Sequence, residues 1–116
     1  MSSGLDLLMS RRSAAALGDP GPSDAELAKI LTAATTVPDH GKLRPFRFAI
    51  ISGDGRLQFG NALAEAAAER KPGLADSALD AMRAKAQRSP TIIAVISSPK
   101  PGKIEPWEQA ATAACA

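Results

Sequence analysis

The segment TVPDHGKLRPFRF, residues 36–48, decides how the rest of this chain is arranged. It contains the chain's single histidine, His40, and lies between an amphipathic helical pattern and an apolar, β-branched run. Pro38 and Pro45 fix their own φ angles, and each disfavours a helical conformation at the preceding residue. Gly41 permits a turn that a residue with a Cβ atom would resist. The sequence therefore predicts a stiff loop between two regular elements, a common location for ligand contacts.

The two elements that flank this loop have clear sequence signatures. Ser23 and Glu26 form a capping-box pattern, and apolar residues follow at helical spacing. Pro38 requires this helix to end by about Val37. After the loop, the β-branched and aromatic residues of Phe46–Ser52 predict a strand.

The remaining elements are predicted from periodicity and from Gly and Pro breakers. They are a short helix over Leu5–Arg12, helices over about Arg56–Arg70 and Ala75–Arg88, a strand over Pro90–Ser97 and a final helix opened by Pro106. The strand over Pro90–Ser97 is apolar at consecutive positions, so we expect it to be central and covered on both faces. We expect residues 1–116 to form a single domain, cut inside an alanine-rich helix because Ala110–Ala116 carries no helix stop signal.

Composition limits the core that this chain can build. Hydrophobic residues make up 45% of its 116 residues, but many are alanines and aromatic residues are only 3%. Burial of apolar surface stabilises a fold by about 25 cal/mol per Å². Small side chains each bury little apolar area, so each contributes little. We therefore expect a thin core that is completed by a second copy or by further chain.

Charge and cysteine content exclude several classes of protein. A formal net charge of +2 is too balanced to indicate nucleic-acid binding. One cysteine excludes an internal disulfide framework. The sequence has neither a signal peptide at its start nor an apolar run long enough to span a bilayer. We expect a cytoplasmic protein with neither nucleic acid nor a membrane as a partner.

Arg11, Arg12 and Ser13 are the first candidate binding residues. Guanidinium groups match phosphate oxygens with two parallel hydrogen bonds, and a serine hydroxyl adds a donor. The alternative is a solvated basic end of the first helix. The spacing alone leaves both interpretations open.

His40 is the second candidate. An imidazole on a loop could bind a cofactor or titrate near neutral pH, or it could cap a turn. Since neither a second histidine nor a cysteine lies nearby in sequence, we expect no metal site. Lys42, Arg44 and Arg47 could attract an anion or could be ordinary exposed cations.

Other reactive or large side chains are interpreted as structural. We expect Cys115 to be a small packed residue and Trp107 to anchor the core or an interface. Glu105 and Glu108 suggest no catalytic pair. Phosphate-loop and nucleophile-elbow motifs are absent from the sequence.

The order of the motifs resembles the FMN-dependent nitroreductase family. The motifs are LLMSRRS (7–13), the helix capped by Ser23, VPDH-x4-PF-x-F (37–48) and a strand that ends in SGDG (52–55). PTIIAVI (90–96) and PWEQ (106–109) fit its short NAD(P)H nitroreductase branch. The sequence departs from the family in Arg44-Pro45-Phe46, where members often have Gln-Pro-Trp, and in Thr36, which is basic in close relatives.

The resemblance implies an α+β fold, an α/β/α sandwich with a mostly antiparallel sheet flanked by helices, of which this chain is the N-terminal part. It also implies a homodimer with FMN at the interface. Positions Arg11, Arg12 and Ser13 of one subunit, and Thr36 and His40 of the other, would contact the flavin.

The reaction implied is hydride transfer from NAD(P)H through FMN to a nitroaromatic or quinone acceptor. The resemblance implies no catalytic side chain, because the cofactor carries the chemistry. Two alternatives remain. One is a flavin-binding or dimerisation module without turnover, and the other is a basic domain that binds nucleic acid through Arg11, Arg12, Lys42 and Arg44.

Overall fold

Helices and two strands alternate along the chain in a computed structural model that describes residues 3–116. The elements are α1 (Gly4–Ser10), α2 (Asp24–Ala34), a 3-10 turn (His40–Lys42), β1 (Phe46–Ser52), α3 (Gly55–Arg70), α4 (Asp76–Lys85), β2 (Thr91–Ser97) and α5 (Pro106–Cys115). Every helix and strand predicted from the sequence is present. Their bounds differ by a few residues, most at α1 and at the end of α4.

β1 and β2 form an antiparallel pair in which Phe46 lies opposite Ser97 and Ser52 lies opposite Thr91. The prediction that β2 is a central strand is wrong for the described residues, because β1 is its single partner there. Although α5 packs against β2, Val95 stays 44% exposed. An apolar run indicates that a strand can be covered on both faces, but neighbouring elements decide whether it is covered.

The helix before the His40 loop is confirmed in detail. The Ser23 hydroxyl accepts from Glu26 N at 3.2 Å, and the Glu26 carboxylate accepts from Ser23 N at 2.7 Å. α2 ends at Ala34, before Val37, as the proline at position 38 requires. The sequence alone therefore determines where the His40 loop begins.

α1 is shorter than predicted. It ends at Ser10, and Arg11 already has an extended backbone, so the expectation that Arg11 and Arg12 form its last turn is wrong. The Ser10 hydroxyl donates to the Leu7 carbonyl oxygen at 3.3 Å. A serine hydroxyl bonded in this way competes with helix continuation.

The core is as thin as the composition predicts. Its buried hydrophobic residues are Phe46, Ala64, Ala86 and Ala113. The radius of gyration is 17.3 Å, against about 13 Å for a compact chain of this length. The chain is therefore open, with much apolar surface that the described residues do not cover.

Cys115, which was predicted to be packed, and Trp107, which was predicted to anchor the core or an interface, are both exposed. Trp107 is 71% exposed, so it does not anchor the core of this chain. Cys115 is also exposed. Both lie on α5, and helix periodicity does not reveal which faces of a helix a neighbour will cover. None of the helices within residues 3–116 combines the length and apolar character needed to cross a bilayer.

Candidate cofactor-binding site

The loop that carries His40 has an unusual backbone. Three of its residues have positive φ angles: 77° at Gly41, 51° at Lys42 and 48° at Arg44. The Asp39 carboxylate braces the loop by accepting from Arg44 N at 2.7 Å. Positive φ is uncommon for residues with a Cβ and concentrates at functional sites, where surrounding contacts hold it. The structure therefore has the predicted loop between two regular elements, and Asp39 bonds across it.

His40 pairs with Glu108 of α5. Its Nδ1 atom lies 2.6 Å from the Glu108 carboxylate. The side chains are 63% and 35% exposed, respectively. The pair borders an open cavity of about 270 Å³. Its other lining residues are Pro38, Asp39, Ala111, Thr112 and Cys115.

A second contact ties the same loop to α5. The buried Gln109 side chain accepts from Lys100 N at 2.7 Å and donates to Lys100 O at 2.9 Å. The Lys100 ammonium group in turn donates to the carbonyl oxygen of Leu43 in the His40 loop. Neighbouring residues of α5 thus hold the loop directly, through Glu108, and indirectly, through Gln109.

Thr36 lies just beyond α2, where its hydroxyl donates to Ala33 O at 2.7 Å. It lines an open groove of about 870 Å³, within the range of roughly 300–1,000 Å³ typical of ligand sites. The groove is mainly apolar and shares Pro38 and Cys115 with the cavity beside His40. Thr36 therefore lines the groove and His40 lines the cavity next to it. This arrangement is the one expected if both residues contact the same ligand.

Arg11, Arg12 and Ser13 lie on an exposed segment without regular secondary structure after α1. Arg11 Nη1 donates to the Ser13 hydroxyl at 3.4 Å. Among the described residues, the linings of the two cavities beside Thr36 and His40 include Leu8 of α1 but none of these three. Neither of these two cavities is therefore lined by both predicted groups of binding residues.

The three cations near the loop do not form one cluster. Lys42 and Arg44 line a common groove that also contains the Asp39 carboxylate. Arg47 lies on β1, opposite Ile96. All three are exposed. Lys42 and Arg44 are the pair that could attract an anion.

Sequence reasoning missed Glu108, to which it gave no role. His40 and Glu108 are 68 positions apart, so no local spacing connects them. Pro106 at the start of α5 places Glu108 in the first helical turn. This position was the only feature of the sequence that set Glu108 apart. That position does not reveal what the helix faces.

The sequence of this chain matches one known protein family over almost its whole length. A family described as the nitroreductase family matches residues 8–116. The chain belongs to the nitroreductase family. The resemblance inferred from the order of motifs is therefore confirmed over nearly the whole chain.

Relatives within the nitroreductase family cover this chain almost completely. It is 38% identical over 113 residues to "Putative NAD(P)H nitroreductase YdjA" of Escherichia coli strain K12. It is 33% identical over 114 residues to "Putative NAD(P)H nitroreductase" of Haemophilus influenzae. Each match covers 97% of this chain and 61% of the relative. The chain therefore spans about three-fifths of the length of these curated relatives.

The fold of the family is confirmed by a solved structure. The nitroreductase-like family protein from Bacillus cereus matches with a TM-score of 0.73 at 21% identity. The match covers 99% of this chain and 60% of that structure. The α+β class, with helices around an antiparallel sheet, is therefore correct.

Proposed function

We propose that this nitroreductase-family protein is a homodimeric, FMN-dependent oxidoreductase. It would transfer hydride from NAD(P)H to nitroaromatic or quinone acceptors. The observation that carries the proposal is that this chain has two groups of polar side chains, Arg11–Ser13 and Thr36 with His40, whose chemistry suits the two ends of FMN. Relatives named NAD(P)H nitroreductases, at 33–38% identity, support the choice of reductant.

The phosphate end of FMN fits the Arg11–Ser13 segment. Both of its arginines are exposed and lie outside regular secondary structure, and the Ser13 hydroxyl lies beside the Arg11 guanidinium group. Phosphate carries up to two negative charges at neutral pH, and guanidinium binds such oxygens through short, charge-assisted hydrogen bonds. These residues would hold the phosphate and orient the cofactor.

The ring end fits the groove beside Thr36 and His40. Its apolar lining suits a flat aromatic system, and Thr36 and His40 supply polar atoms at its border. Because Nδ1 of His40 is paired with Glu108, Nε2 is the ring nitrogen left to a ligand. When bound, FMN supplies the hydride acceptance and donation that no side chain can provide.

A second copy of the chain would bring the two groups together. Large apolar residues of α1 and α2 are exposed, including Leu8 at 74%, Met9 at 80% and Ile30 at 46%. Leu8 and Ile30 border the same groove as Thr36. Burying this surface against a partner would remove apolar area from water. It would also allow the Arg11–Ser13 segment of one copy to approach the groove of the other.

The test is to purify the protein encoded by the complete reading frame and measure bound FMN, oligomeric state and turnover. We expect a yellow dimer that oxidises NADH or NADPH when a nitroaromatic or a quinone is added. FMN binding without turnover would contradict the oxidoreductase and favour a flavin-binding module. A colourless monomer that FMN cannot reconstitute would contradict both.

A further inference from the structure

We propose that Glu108 is a positioning residue that fixes the orientation and the tautomer of the His40 imidazole for ligand binding. The proposal rests on the FMN-binding function proposed above, because it assigns a role to the residue behind His40. Glu108 would act through His40 and would not touch the cofactor itself.

The short contact between the two side chains defines which nitrogen carries hydrogen. The distance from His40 Nδ1 to the Glu108 oxygen is 2.6 Å. An ionised carboxylate can only accept hydrogen bonds, so Nδ1 must be the donor. In the neutral ring, Nε2 is then an acceptor, and in the protonated ring it is a second donor. Either way, the contact with Glu108 leaves Nε2 as the ring nitrogen that would face a flavin.

Glu108 is held by its own helix. Its carbonyl oxygen accepts from the Thr112 hydroxyl at 3.3 Å, and α5 begins with Pro106 at its first helical position. The next residue, Gln109, is 2% exposed and has both amide atoms bonded to the segment that contains Lys100. A carboxylate fixed on such a helix is a firm support for a ligand-binding side chain.

The loop that carries His40, the partner of Glu108, is also held in place. Pro45 is fully buried, and Asp39 is bonded to Arg44 N across the turn that contains His40. The imidazole therefore sits on a braced loop, and Glu108 fixes the remaining rotation about its side-chain bonds. Without Glu108, the ring could rotate and either nitrogen could carry the hydrogen.

Stability alone does not account for this contact. Exposed ion pairs contribute little to folding free energy, because water screens the charges and fixing two long side chains costs entropy. His40 is 63% exposed and Glu108 is 35% exposed. We therefore expect Glu108→Ala to change unfolding only slightly but to change the state of the imidazole clearly.

The test uses nitrogen-15 NMR of the imidazole together with FMN titration of the complete protein. His40 signals are assigned by comparison with His40→Gln. We expect the Nδ1–H tautomer in the unsubstituted protein and a shift toward the Nε2–H tautomer in Glu108→Ala. FMN binding should become roughly tenfold weaker, as for removal of a partner behind a ligating histidine at metal sites. Glu108→Gln, which keeps an acceptor oxygen, should restore part of the affinity.

Glu105→Ala is the matched control, because Glu105 lies one turn earlier and its side chain forms no capping hydrogen bond. It should leave both readouts unchanged. Identical imidazole spectra and identical FMN affinity in Glu108→Ala would overturn the proposal. If the unsubstituted protein binds no FMN, the proposed function fails. The tautomer measured without FMN then still decides whether Glu108 sets the state of His40.

Discussion

The side-chain amide of Gln109 holds the backbone of Lys100 through both of its polar atoms. Its Oε1 accepts from Lys100 N at 2.7 Å, and its Nε2 donates to Lys100 O at 2.9 Å and to Ile104 O at 3.0 Å. The residue is 2% exposed, so water is largely excluded from these bonds. Through the Lys100 ammonium group, which donates to Leu43 O, this contact extends to the loop that carries His40.

Replacing Gln109 with Leu should destabilise the fold strongly. The substitution removes the side-chain partner of Lys100 N, Lys100 O and Ile104 O, and each of these part-buried hydrogen bonds contributes about 0.5–1.5 kcal/mol. Gln109→Glu should be intermediate, because a carboxylate still accepts from Lys100 N but cannot donate to the two carbonyl oxygens. Urea unfolding measures the change. Gln87→Leu at an exposed position is the control, and equal stabilities of the two Leu variants would contradict the role assigned to Gln109.

Local signals in the sequence predicted most of the elements. The Ser23–Glu26 capping box and Pro38 are contained within a few residues, so the bounds of α2 could be predicted. Phe46–Ser52 was predicted as the observed strand for the same reason. Arg11 was misplaced because α1 ends one residue earlier, at Ser10, and apolar periodicity does not mark a helix end to the residue.

Properties that depend on distant contacts could not be predicted. The His40–Glu108 contact joins residues 68 positions apart. The exposure of Trp107 and of Val95 depends on which faces of α5 and β2 are covered. The assignments of Arg11, Arg12, Ser13, Thr36 and His40 to FMN remain predictions from the family resemblance.

Gly60 should not tolerate a side chain. A Cβ atom placed there would lie 2.8 Å from the Arg83 carbonyl oxygen, where α3 crosses α4. Overpacking of this kind costs about 1–3 kcal/mol, partly offset by about 1 kcal/mol from the better helix propensity of alanine. Gly60→Ala should lower the melting temperature. Gly55→Ala is the control, since its Cβ would meet Ile51 at an ordinary 3.8 Å. Equal melting temperatures would show that α3 and α4 are packed less closely.

Acid should weaken the N-terminal cap of α1. Hydrogen bonds from the backbone N–H and, secondly, the hydroxyl of Ser3 hold the pKa of Asp6 below its usual range. Because the folded pKa is lowered, the stabilisation is present above the unfolded pKa and is lost as pH falls through the folded value. Carbon-13 NMR of the carboxyl group measures this pKa. Ser3→Ala should move it back toward the usual range, and no movement would show that the hydroxyl does not contribute.

Arg12→Gln should weaken FMN binding by roughly tenfold to a hundredfold, the effect of losing a charged hydrogen bond worth about 1.5–3 kcal/mol. Arg11→Gln should act in the same direction, because both guanidinium groups are assigned to the phosphate. Fluorescence quenching of FMN measures the affinity. Arg70→Gln, at the end of α3, is the control. If FMN affinity is unchanged in both the Arg11 and the Arg12 variants, the Arg11–Ser13 segment is not part of the FMN site.

The central claim is that one FMN is shared between two copies of the chain. Arg12→Ala and His40→Ala proteins, with different affinity tags, are mixed under conditions that exchange subunits, and the doubly tagged dimer is titrated with FMN. If Arg12 of one copy and His40 of the other serve the same site, each mixed dimer contains one intact site. We expect it to bind one FMN with the affinity of the unsubstituted protein, although each parent variant binds weakly. Weak binding by the mixed dimer as well would contradict the shared site.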